Sequence, residues 1–236
     1  MVSNQAMMLF HSVAGAALLV FYWRTLLSRK GSRDHKRLGR TYLILLVPLM
    51  ISIVPITLAE AQQQGPARLL QLVYLGLVVA TAGWTAWRAV VDRGDPNRYR
   101  GTVFRILACC LFGAGVALLI VGIAKSNVLT VGFSMIGVVY GGAMLGFLGR
   151  EPTAQWWLDW HLNGVALLFA ATHASFIGLI ARHGLPGLAG EVMHGLTQLG
   201  TIAFAYGFRQ WLGWRYSQFG AAAAALPCGA TVVKAG

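Results

Sequence analysis

Of 236 residues, 57% are hydrophobic and 11% charged, far from the roughly 25% charged residues of an average soluble domain. Charge is gathered into short clusters between long apolar runs, the pattern of a membrane protein. The formal net charge of +12 is therefore read as basic loops on one side of a bilayer, and nucleic acid is excluded as a partner because no soluble domain is there to host it.

The first apolar run is read as a retained span. It has no basic leader, His11 interrupts it, and Arg24, Arg29 and Lys30 stand where a signal peptide would carry small residues. Spanning segments follow at about 6–28, 40–60, 68–91, 103–125, 128–149, 156–181 and 190–214, each near the ~20 residues a crossing helix needs. The expected fold is thus all-α, a polytopic bundle of seven helices over residues 1–216. The tail 217–236 is expected to be cytoplasmic and disordered. "KSN" separates the fourth and fifth spans, and the breaker-rich "GLPGLAG" leads into the seventh.

Lysine and arginine set the orientation. Sixteen fall on one side (Arg24 to Arg40, Arg88 to Arg105, Arg150 and the C-terminus) and only Arg68, Lys125 and Arg182 on the other. The positive-inside rule then places the N-terminus outside and the C-terminus in the cytoplasm of a bacterial inner membrane, with anionic lipids at the basic loops.

Within the spans the ionisable residues stand out, since in hydrocarbon each is costly unless paired. "WWLDWHLNGVALLFAATHASF", residues 156–176, carries Asp159, His161, Asn163 and His173. Asp159 is expected to pair with Arg40 or Arg105, which begin helices at the same membrane level. By depth, His11, His173 and His194 share the outer leaflet and are expected to converge on one site. His35 and His161 lie at the inner level. His161 and His173 cannot share a ligand, because twelve residues at ~1.5 Å rise place them roughly 18 Å apart.

Missing features remove several chemistries. The seventh span has no lysine for retinal, and no H-x-x-x-H, H-E-x-x-H or Walker loop occurs. Cys109 and Cys110 show no haem-attachment or zinc spacing and are expected to be small core residues. Glycine pairs 137/141 and 142/146 are expected to let helices pack closely, and Trp156, Trp157, Trp211 and Trp214 to form an interface belt. "HSVAG" from His11 and "HKRLG" from His35 repeat H-x-x-x-G; a glycine one turn from a histidine leaves room for the flat macrocycle of haem b held between two imidazoles. A transition-metal site in the outer trio and plain hydrogen-bonded histidines remain open beside it.

"FHSVAGAALLV", "HKRLGRTYLILL" and "WHLNGVALLFAATHASFIG" together resemble a group of bacterial multi-spanning membrane proteins of unknown function. Its hallmarks match at His11, at His35, Leu38, Gly39, Arg40 and Tyr42, and at His161 and Thr172, about a third of the chain. His173 departs from that pattern. The resemblance implies the fold and no activity. Two functions are carried forward. One is a haem-b or quinone-linked electron-transfer protein or subunit. The other is a non-enzymatic module: a small-molecule or proton transporter, or an accessory subunit of a larger membrane complex.

Overall fold

The structure, a computed structural model, describes residues 4–184 and 191–224. The helices are α1 (Asn4–Leu27), α2 (Arg33–Gln64), α3 (Pro66–Val91), the short α4 (Pro96–Tyr99), α5 (Thr102–Ala124), α6 (Val128–Ile136), α7 (Gly142–Leu148), α8 (Trp156–Gly184) and α9 (Glu191–Ala224). A π-helical turn, Gly137–Gly141, fuses α6 to α7 into one rod. No strand occurs among the described residues. Six helical stretches are long and apolar enough to cross a membrane: Ala6–Leu27, Arg33–Ala59, Leu69–Val91, Thr102–Ala124, Val128–Leu148 and Trp156–Ala181. The chain is therefore an all-helical bundle with the long apolar helices of a multi-pass membrane protein. α9 is longer still at 34 residues but is not among the six. It runs on to Ala224, eight residues beyond the expected boundary at 216; the rest of the expected tail, and most of "GLPGLAG", lie outside the described residues.

Short turns give the helices their up-and-down order. Gly31 and Gly65 adopt φ of 76° and 85°, left-handed conformations open to glycine at little cost. Pro66 follows at the first position of α3, where its missing N–H costs nothing. Asn127 in the "KSN" turn caps α6, its side chain accepting from the Thr130 N–H at 2.8 Å. Asp95 caps α4 in the same way.

α1, α2, α3 and α8 close a four-helix group, α5 and the α6–α7 rod pack on the other flank of α3, and α9 lies along α8. Inside the four-helix group Leu18, Tyr22, Tyr42, Leu46, Ala82 and Leu168 are buried. Residues such as Leu9, Val20, Ile44, Ile51 and Ile120 remain exposed, so the outer faces are as apolar as the core, as lipid-facing helices require.

The second core is aromatic. Tyr99, Phe104, Phe147, Trp156 and Trp160 meet ring to ring at centroid distances of 5.0–6.4 Å. Trp156 is thus buried and belongs to no interface belt, because α4 folds back and offers it Tyr99 as a partner; Trp211 and Trp214 are exposed. Nor are Cys109 and Cys110 core residues. Both are free thiols exposed on α5, whose buried face is formed by Phe104, Ala108 and Leu111.

Candidate functional site

The site residues at the basic end are positioned by helix termini. The last carbonyls of α1 have no partner within the helix, and the following residues supply one. His35 in the first turn of α2 turns its Nδ1 to Thr25 O at 3.0 Å, Ser28 Oγ donates to the same oxygen at 2.7 Å, and the Lys30 ammonium reaches Leu26 O. His161 is placed by a close helix crossing. Gly164, three residues on, lies against α3 so tightly that a Cβ there would meet Ala82 O at 2.6 Å and Ala86 N at 2.7 Å. That approach lets His161 Nδ1 donate to Ala86 O at 2.8 Å.

Each imidazole therefore spends its Nδ1–H on a backbone carbonyl, which fixes the neutral tautomer and leaves Nε2 as a bare lone pair. Neither Nε2 has a hydrogen-bond partner among the described residues. The two rings share one end of the four-helix group, His35 against the end of α1 and His161 against the last turns of α3. A carbonyl holding the far ring nitrogen is the usual support behind a metal-bound histidine. Neutral imidazole nitrogens of this kind are donors that could hold the iron of a haem. The two glycines expected to give clearance differ: a Cβ on Gly39 would meet the Thr25 methyl at 3.5 Å, so Gly39 packs α2 on α1, while Gly15 stands beside open space with nothing within 4 Å.

Of the expected outer trio, His11 and His173 are not brought together. His173 is closed on both sides, Nδ1 donating to Phe169 O at 2.9 Å and Nε2 accepting from Trp23 Nε1 at 2.9 Å, with its ring stacked on Phe169 at 3.8 Å. His11 stands twelve residues earlier on α1 than Trp23, about 18 Å along the axis. Its Nδ1 meets Ser52 Oγ at 2.8 Å, between Pro48 and Pro55 of α2. His194 lies in the first turn of α9, and its side chain is outside the described residues. No group of three or more potential metal ligands occurs among the described residues.

Asp159 does not pair with Arg40 or Arg105. Its partner is Arg209 of α9, whose Nη2 lies 2.9 Å from Asp159 Oδ1 while its Nε donates to Asn163 Oδ1 at 2.6 Å. Asp159 and Asn163, one turn apart, face α9, the helix that lies along α8. Arg40 is exposed on α2, and Arg105 turns back to Arg100 O at 3.2 Å.

Asp92, which the sequence did not single out, is a more buried acid. Its fully buried carboxylate receives Arg88 at 2.6 Å on Oδ2 and has Arg98 at 3.3 Å from Oδ1. Burial, with Tyr140 and Asp92 nearby, pushes the neighbouring Tyr99 phenol far above its ordinary range, so it stays protonated. The cluster anchors the α3–α5 connection. Its signal in the sequence was the i, i+4 pair Arg88/Asp92 inside a run rich in arginine.

Comparison with protein-family models, curated proteins and solved structures gives no match for the chain.

Proposed function

We propose that the chain is an electron-transfer protein or subunit of a bacterial inner membrane that holds haem b between His35 and His161. The observation that carries the reading is the pair of unpartnered Nε2 atoms at one end of the four-helix group, each imidazole locked by a carbonyl at Nδ1. Haem, when bound, supplies one-electron chemistry; His35 and His161 bind and orient it. Arg33, Lys36 and Arg37, exposed beside His35, suit its propionates and anionic lipid headgroups. The proposal includes seven crossings, with α9 as the last, the N-terminus outside and the C-terminus in the cytoplasm. It also includes kinship with the bacterial membrane family of unknown function. The spacing H-x-x-L-G-R-x-Y supports that kinship, since His35 binds α1, Gly39 packs on it and Tyr42 is buried in the core.

Titration of the purified full-length chain with ferric haem tests the reading. Uptake saturates at one haem per chain and gives a sharp reduced band. His35→Leu and His161→Leu each abolish that band, and His11→Leu retains it. Unsaturable uptake, or an unchanged band in His35→Leu, overturns the proposal.

A further inference from the structure

Between α1, α8 and α9 lies a groove of about 440 Å³ whose walls include Trp23, Phe169, His173, Gly200, Thr201 and Phe204. Its volume lies within the ~300–1,000 Å³ of small-molecule sites. The rim is exposed and apolar, with Phe204 and Leu196 at 60% and 64% exposure, so the opening is toward lipid. Aromatic faces make up much of the wall. A polar edge interrupts them, the hydrogen bond from Trp23 Nε1–H to His173 Nε2, and across the groove the Thr201 hydroxyl donates to Thr197 O within α9.

That edge has a defined chemistry. His173 gives its Nδ1–H to Phe169 O, so Nε2 can only accept; the indole N–H can only donate. A ligand hydroxyl that enters as this bond opens can pair with both groups, accepting from Trp23 and donating to the buried His173. A carbonyl can accept from Trp23 but leaves His173 Nε2 bare. We infer that the groove binds the reduced headgroup of a lipid-borne quinone, a quinol, with a ring hydroxyl bridging Trp23 and His173 and the ring against Phe169 and Phe204. The choice of a redox-active hydroxyaromatic rests on the electron-transfer reading above; the preference for hydroxyl over carbonyl rests on the Trp23–His173 geometry alone.

Equilibrium binding of radiolabelled decylbenzoquinol and decylbenzoquinone to the full-length chain in detergent micelles tests it. Quinol binding is expected to saturate at one site per chain and to exceed quinone binding by about tenfold, the order expected for one buried acceptor left unpaired. His173→Leu removes the acceptor on which the preference rests and reduces it to near unity, whereas Trp23→Phe keeps it. Gly200→Leu fills the groove and abolishes binding; because a Cβ at Gly200 meets nothing within 4 Å, this variant leaves the helix packing intact. Absence of saturation, equal or better binding of the quinone, binding unchanged by Gly200→Leu, or equal displacement by decanol each overturns the inference. The last result would assign the groove to acyl chains. Haem uptake measured on the same samples separates the two readings. Failure of quinol binding with haem retained defeats the groove alone, and saturable quinol binding without haem defeats the haem site alone.

Discussion

Histidine chemistry here is decided by which ring nitrogen is already spent. His173 is the most prominent imidazole of the sequence, yet both of its nitrogens are engaged, whereas His35 and His161 keep one lone pair each. Asp159 teaches the related point about charge. Membrane depth was legible from the chain and ranked Arg40 and Arg105 as partners; the direction in which α8 presents Asp159 was not, and that direction selects Arg209. The pair is half exposed on the acid side, at 53% against 19% for the arginine, so it contributes on the order of 0.2–1 kcal/mol. Asp159→Arg and Arg209→Asp singly are expected to lower the thermal midpoint in detergent, and the double exchange to recover most of the loss. A double variant no better than the sum of the singles would show that the two do not interact.

Two elements depart from regular geometry, and each has an identifiable cause. In a regular helix Gly137 N–H would bond Phe133 O. Instead the Tyr74 hydroxyl enters the ladder, accepting from Gly137 N at 2.7 Å and donating to Phe133 O at 2.8 Å. A hydroxyl inserted this way opens the turn to π geometry. The glycines complete it. A Cβ on Gly137 would meet Leu111 O, and one on Gly141 would meet Phe112 N, both at 2.7 Å, so the rod lies almost backbone to backbone on α5. The close packing of the 137/141 pair was readable from glycine spacing; the π turn was not, because its cause lies more than sixty residues earlier. The 142/146 pair makes only ordinary contacts, at 3.6 Å and 3.9 Å. Tyr74→Phe should cost about 1–3 kcal/mol, since two buried backbone groups lose their bridge; chemical denaturation in detergent measures it, and no loss would mean the ladder simply recloses. Gly164→Ala should cost a similar ~1–3 kcal/mol through overpacking against α3. It should also weaken haem uptake by lifting His161 from Ala86 O, and stability lost without any change in haem uptake would detach Gly164 from the site.

For the molecule as a whole, hydropathy and turn chemistry located every long helix to within a few residues, apart from the ends of α2 and α9, because apolar length is a property of the local chain. How the helices sit side by side was not legible, and the site depends on that. The four-helix group forms because α8 returns to α1 and α3 late in the sequence, carrying His161 to the end where α2 starts with His35. The proposed orientation predicts that, with the native cysteines replaced by serine, an impermeant thiol reagent applied to intact cells labels Gln63→Cys and spares Asn97→Cys; the reverse pattern would invert the bundle. The central claim concerns which two imidazoles meet the iron, and paramagnetic resonance of the oxidised, haem-loaded protein tests it most directly. The account predicts a low-spin bis-imidazole signal in the wild-type chain and in His173→Leu, replaced by a high-spin signal or lost in His35→Leu and in His161→Leu. A low-spin signal that survives both of the latter substitutions, or that disappears only in His173→Leu, would contradict it.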